Sequence, residues 1–205
     1  MTTDPSRFNH NIARFDRTIA RFDAANAEDP NQENFEGTDY PKELLYAQRM
    51  TAWLERLAPD APETLRLAVR CQHIRRWTLP RSEYPMNRDG YKLWRTTLYD
   101  FHADTAGDIL REEGYDEHTI QRVQSIVRKE RIKRDAEAQL LEDVACLVFL
   151  ENHFVEFAAK HSDDEGKLID IVRKTWMKMS DQGHAAALTL KLPPEVSGIV
   201  QKALA

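Results

Sequence analysis

The chain has 205 residues, of which 41% are hydrophobic and 31% charged, and its formal net charge is -5. These values are typical of a soluble globular protein large enough for one well-packed domain. The acidic balance argues against nucleic-acid binding by the whole surface. No run of about 18 apolar residues occurs, so we expect no membrane partner. Cys71 and Cys146 lie in helical apolar patterns, which favours free thiols and a cytoplasmic location.

Helical periodicity extends through nearly the whole sequence. The first helix carries apolar residues at alternating spacings of four and three, namely Phe8, Ile12, Phe15, Ile19 and Phe22. Polar residues 26–40 indicate a loop. Further helices are predicted from residue 41 and over about residues 60–77, 91–113, 116–134, 136–160 and 165–179, with a short one from residue 194. No segment alternates like a strand, so we predict one all-α domain over residues 1–205, with about seven to eight helices.

Ionisable residues interrupt the apolar stripes of four successive helices. They are His73 on the third, His102 on the fourth, Glu130 on the fifth and Asp143 on the sixth, with Glu142 one step round. Buried charges must pair, bind a metal or become neutral. One hypothesis is a divalent metal of unknown identity held by the histidines and a late acid, with Glu130 orienting water. The alternative is a metal-free network in which the acids hold arginines in place.

Residues 70–95 combine positive charge with aromatic rings. The stretch RCQHIRRWTLPRSEYPMNRDGYKLWR has seven basic and two acidic residues, which makes it net +5 in an acidic protein. Arginine suits bidentate contact with phosphate, and aromatic rings can stack on a base or on guanidinium groups. The candidate phosphate-binding residues are Arg70, Arg75, Arg76, Arg81, Arg88, Arg95, Trp77 and Tyr91. The other interpretation is an ordered loop whose arginines pair with acids elsewhere.

Several stretches resemble the domain of unknown function family 4202. They are QHIRRWTLPRSEYPMNRDGYKLWR, FHA, QLLEDVACLVFLE and KTWMKMSDQGHAAALTL, together with FDAANAEDP and PKELLYAQRM. The resemblance spans nearly the whole chain. It implies no activity, because the function of that family is unknown.

The pattern also resembles, more loosely, the all-α HD-domain metal-dependent phosphohydrolases. That resemblance implies an HD-like core and metal-site roles for His73, His102, Glu130 and either Glu142 or Asp143. The sequence departs from the HD pattern at Ile74, where an Asp is expected, and near Leu45, where a histidine is expected. The implied motif is therefore degenerate, and it supports the fold better than the activity.

Taken together, these features predict a protein that acts on or binds a phosphorylated small molecule, such as a nucleotide. In the catalytic version it is a metal-dependent phosphohydrolase. The alternative is a non-catalytic helical module that binds an anion or a partner through the same polar residues. RNA contact through the arginine and aromatic segment is the least favoured option, and it would require steep salt dependence.

Overall fold

The computed structural model of the chain describes residues 5–204, with side chains from residue 11 onwards. The predicted all-α fold is confirmed for this part of the chain. Its ten α-helices are α1 (Pro5–Ala27), α2 (Lys42–Leu57), α3 (Glu63–Cys71), α4 (Arg88–Glu112), α5 (Glu117–Val127), α6 (Ala136–Val148), α7 (Phe154–Lys160), α8 (Glu165–Trp176), α9 (Asp181–Ala187) and α10 (Pro194–Leu204). Among these described helices, none combines the length and apolar character that crossing a membrane requires.

The apolar stripe predicted for α1 is buried at one end only. Phe22 is fully buried in the core, and Phe15 and Ile19 pack against its edge. Ile12 is 46% exposed. The side chain of Phe8 is not among those that the structure describes. The helix therefore anchors to the bundle mainly through its C-terminal half.

A β-hairpin stands where residues 26–40 predicted a loop, so that prediction was wrong in part. Strand β1 (Gln32–Phe35) pairs antiparallel with β2 (Thr38–Pro41). The turn residues Glu36 and Gly37 have φ angles of 52° and 82°, as in the turns that suit tight hairpins. Each strand has only four residues, most of them polar, so no apolar alternation predicted the hairpin.

Two helices end earlier than their periodicity predicted. Helix α3 ends at Cys71 rather than near residue 77, and Arg75 then takes a left-handed φ of 52°. Its backbone N–H donates to Oδ1 of Asn26 across 3.1 Å, which stabilises the turn. Helix α5 ends at Val127, and Lys129 has a φ of 58°. A left-handed non-glycine residue costs on the order of 1–2 kcal/mol, so tertiary contacts must stabilise both turns.

The predicted long helix over residues 136–160 is divided by a π-helical turn, Phe149–His153. A π turn inserts an extra residue into the helix and rotates the side chains that follow it. The main apolar core lies among α1 to α6, around residues such as Met50 and Leu141. A smaller cluster joins α7, α8 and α10, and Phe149 packs against both clusters.

Candidate functional site

A cavity of about 560 Å³ has walls from both apolar clusters. Its lining comes from α2, the turn after α3, α4, the turn after α5, α6, the π turn, α7 and α8. Six cationic side chains and three carboxylates line it: Lys42, Arg76, Arg95, Lys129, Lys160 and Lys178 against Glu43, Glu142 and Glu156. The cavity thus has an excess of three positive charges inside an acidic protein, which favours an anionic occupant.

His73 lies in the turn after α3 and contacts three cavity side chains. Its ring stacks on Tyr46 with the centroids 4.2 Å apart. Nε2 lies 3.2 Å from Nη1 of Arg76, and Nδ1 lies 3.3 Å from Oε2 of Glu43. Because arginine only donates, Nε2 accepts and the proton is assigned to Nδ1. Burial, together with the charge of Arg76, holds the His73 pKa well below its ordinary value, so the ring is neutral.

His102 on α4 lines the cavity and has one ring nitrogen without a partner in the described structure. The side chain is buried, and Nδ1 lies 2.8 Å from the carbonyl oxygen of Ile74. A carbonyl only accepts, so Nδ1 carries the proton and Nε2 carries the lone pair. Nε2 is buried without a hydrogen-bond partner among the described residues. Burial lowers the His102 pKa from 6.5 to about 3, which keeps the ring neutral.

Glu43 lies in the first turn of α2, and its carboxyl group contacts His73. Its backbone N–H donates to Oδ2 of Asp29 across 3.1 Å, which fixes the first turn of the helix. Burial raises the pKa of its carboxyl from 4.5 to about 7, and the charge of Arg76, with Nε 3.9 Å away, opposes that rise only in part. Glu43 therefore changes its charge near neutral pH.

An ion pair joins Lys129 and Glu142, and both side chains are nearly buried, at 10% and 8% exposure. Lys178 approaches the same carboxylate at 3.8 Å. Burial opposes ionisation of Glu142, but the charge and hydrogen bond of Lys129 outweigh it and keep the Glu142 pKa below its ordinary value. The left-handed turn at Lys129 thus directs an ammonium group into the cavity.

Arg95 has no carboxylate partner among the residues with described side chains. Its guanidinium group donates to the phenol oxygens of Tyr91, at 3.4 Å, and of Tyr99. Neutral phenols do not balance its charge. Arg95 therefore adds an uncompensated positive charge beside Lys129 and Lys178, two lysines that share the single carboxylate of Glu142.

The structure brings together six of the residues that the sequence nominated. These are His73, His102, Glu142, Arg76, Arg95 and Tyr91. Residues from the third and fourth predicted helices meet in one place, and the sixth contributes Glu142, the neighbour of its stripe residue Asp143.

Other nominated arginines have structural partners outside the cavity. Arg70 binds both carboxylate oxygens of Asp23 at 2.6 Å. Arg75 pairs with Glu28 at 2.7 Å. Arg81 donates to the carbonyl oxygens of residues 84 and 85 at 2.9 and 2.7 Å. These three arginines therefore follow the second interpretation of the segment, in which its arginines bind groups of the protein itself. Arg88 is exposed at the start of α4, and Trp77 is half-buried outside the cavity lining.

The late acid Asp143 and the predicted water-orienting Glu130 also lie outside the cavity. Oδ1 of Asp143 accepts from the backbone N–H of Ser180 at 2.8 Å, which supports the start of α9. Glu130 is exposed and accepts from the Ser125 hydroxyl at 3.0 Å, because α5 ends before it.

The predicted metal centre lacks a complete ligand set in the described part of the chain. The rings of His73 and His102 are 5.7 Å apart, but Glu142 is paired with Lys129. Within residues 11–204, no three His, Cys, Asp or Glu side chains are grouped so that they could hold a metal ion. The residues present therefore do not fit the predicted metal, which stays a prediction of the sequence.

Sequence reasoning missed several cavity residues. They are Lys42, Glu43, Tyr46, Tyr99, Lys129, His153 and Lys178. Tyr46 stood on the predicted apolar face of α2, and the lysines stood in polar stretches that resemble solvated surface. Only Glu43 could have been noticed in the sequence, because its carboxylate stands directly beside the predicted start of α2.

The family model described as Domain of unknown function (DUF4202) matches residues 16–200. The chain belongs to the DUF4202 family. This match confirms the resemblance seen in the motifs and extends it across the helices that build the cavity. No curated protein and no solved structure shows a significant match to this DUF4202 chain. The looser resemblance to HD-domain phosphohydrolases is accordingly not confirmed.

Proposed function

We propose that the cavity binds a phosphorylated small molecule, such as a nucleotide, with its phosphate at the end formed by Arg95, Lys129 and Lys178. The observation that carries the proposal is the half-buried Arg95, which has no carboxylate partner in the described structure and faces a cavity with excess positive charge. Guanidinium and ammonium groups are the side chains that recognise phosphate.

The size and walls of the cavity support a ligand larger than phosphate alone. Its volume of about 560 Å³ lies within the range of about 300–1,000 Å³ typical of small-molecule sites. Tyr46, Phe149 and Phe157 add aromatic surface to the lining, which suits a sugar or a base. A phosphate ester would thus use both the charged end and the aromatic wall.

Isothermal titration calorimetry with inorganic phosphate, nucleoside monophosphates and the unphosphorylated nucleosides tests the proposal. We expect the phosphorylated compounds to bind and the nucleosides not to bind. Arg95→Met removes a charged hydrogen-bond donor and is expected to weaken binding about ten- to hundredfold. Arg88→Met is the matched control, because Arg88 is exposed and outside the cavity lining. Equal binding by the two variants, or no binding of any phosphorylated compound, would refute the proposal.

A phosphate-release assay on the compounds that bind separates the two functions that the sequence predicts. The bound ester is incubated with the protein with and without Mg²⁺ or Mn²⁺, and released phosphate is measured. Phosphate release by the unmodified protein that is lost in the Arg95→Met variant would support a phosphohydrolase. An intact ester under both conditions would support a non-catalytic binding module.

A further inference from the structure

We propose that Nε2 of His102 accepts a hydrogen bond from the ligand, so that the site selects phosphate esters that carry a hydroxyl or N–H group. This inference rests on the proposed function and specifies the ligand further. Its starting observation is the buried nitrogen that has no partner in the described structure although its side chain lines the cavity. Buried polar atoms nearly always have a partner, so the occupant of the cavity is expected to supply one.

The chemistry of Nε2 determines what that partner must be. The 2.8 Å contact between Nδ1 and the Ile74 carbonyl oxygen places the ring proton on Nδ1. Nε2 is therefore an acceptor and cannot donate. A carboxylate or a phosphate dianion would repel it with a lone pair. An organic ligand must therefore present a donor to it, such as a hydroxyl, an amine or a ring N–H.

The position of His102 on α4 sets its distance from the phosphate end. Arg95 and His102 are seven residues apart, and Leu98 and Tyr99 between them also line the cavity. Seven residues are two helical turns, or about 10 Å along the axis. One face of α4 thus presents a phosphate-binding group at one end and a hydrogen-bond acceptor at the other. A sugar phosphate or a nucleotide has that length and carries donors far from its phosphate.

The neighbours of His102 reinforce this polarity. His73, with its ring 5.7 Å away, has Nε2 already occupied by Arg76. The carboxyl of Glu43 adds another acceptor beside His73. Hydroxyl groups of a ligand would therefore meet acceptors at this end, while the phosphate meets cations at the other.

Two probes with the same number of carbons separate this inference from the proposed function. Ribose 5-phosphate carries hydroxyl groups, and n-pentyl phosphate carries none. Calorimetry on the unmodified protein is expected to show about tenfold tighter binding of ribose 5-phosphate. Equal affinities that both depend on Arg95 would overturn the inference and leave the proposed function intact. Failure of both probes and of the nucleoside monophosphates to bind would overturn both.

Two substitutions assign the selectivity to His102. In His102→Asn the amide nitrogen keeps the bond to the Ile74 carbonyl but the acceptor at the Nε2 position is lost. We expect the affinity ratio of the two probes to fall to about twofold or less, with thermal stability close to that of the unmodified protein. His102→Gln places an amide oxygen near the Nε2 position and is expected to restore part of the ratio. An unchanged ratio in His102→Asn would overturn the inference and indicate that a water molecule satisfies Nε2.

Discussion

Oε2 of Glu43 lies 3.3 Å from Nδ1 of His73, so a carboxyl that titrates near neutral pH faces a neutral imidazole ring. Burial raises the pKa of the carboxyl and lowers the pKa of the imidazole. The contact is therefore a hydrogen bond from a neutral ring to a carboxyl that titrates near pH 7, rather than a full ion pair. The charge of Arg76 also acts on both groups, so it shifts the balance between them.

The unmodified protein is expected to lose stability as the pH rises above 4.5, and Glu43→Gln should abolish this loss. The folded-state pKa of Glu43 is about 7 against an ordinary 4.5. The folded protein thus binds this proton more tightly, and the stabilisation is complete below 4.5 and is lost as pH rises through 7. The change approaches about 1.4 kcal/mol per pH unit. Urea unfolding at pH 4.5, 6 and 8 measures it. Glu55→Gln, on the exposed face of α2, is the control, and parallel profiles for the two variants would contradict the prediction.

His102 is expected to produce the opposite dependence at lower pH. Its folded-state pKa is about 3 against an ordinary 6.5. The unfolded chain therefore binds the proton more tightly, so the contribution is complete above 6.5 and is lost as pH falls towards 3. His102→Asn should flatten this part of the profile, whereas His118→Asn, at an exposed position on α5, should not. Nitrogen-15 NMR at pH 5 should find a neutral ring protonated on Nδ1, and a charged ring would contradict the assignment.

Lys129→Met should destabilise the protein because it leaves the buried carboxylate of Glu142 without its close partner. The remaining cation, Lys178, is 3.8 Å away and half exposed. Breaking one side of a buried pair typically costs about 3–5 kcal/mol, whereas replacing both sides by apolar residues is often neutral. The double variant Lys129→Met/Glu142→Met should therefore recover most of the lost free energy of unfolding. A double variant no more stable than the single one would show that the turn itself, and not the charge, limits stability.

Gly90→Ala should disturb the start of α4, which carries Arg95 and His102. A Cβ at Gly90 would lie 2.1 Å from the backbone oxygen of Pro85, a contact that cannot be relieved by a side-chain rotation. Gly198 in α10 has nothing within 4 Å of the same position. Gly198→Ala should thus be neutral or stabilise by up to about 1 kcal/mol. Thermal unfolding and phosphate binding of the two variants test the difference, which should exceed about 2 kcal/mol. Similar stabilities would contradict the packing around Gly90.

Local signals in the sequence were sufficient for most helices. The predicted end of the fourth helix near residue 113 is confirmed: α4 ends at Glu112, and Gly114 just beyond it has a φ of 79° that favours glycine. The early ends of α3 and α5 could not be predicted, because Arg75 and Lys129 are not residues that normally stop a helix. Contacts with distant parts of the chain, such as Asn26 and Glu142, stabilise those two turns.

The amino-acid sequence by itself determined the all-α class, the family and the concentration of positive charge in residues 70–95, because periodicity and composition are local properties. Only the tertiary structure decided which of those charges are available to a ligand. Arg70 and Arg95 are equivalent in the sequence, but Asp23 from α1 neutralises the first, and the second meets only phenol oxygens. The reason is physical: a guanidinium group is free to bind phosphate only where the fold brings no carboxylate to it, and that depends on residues far away along the chain.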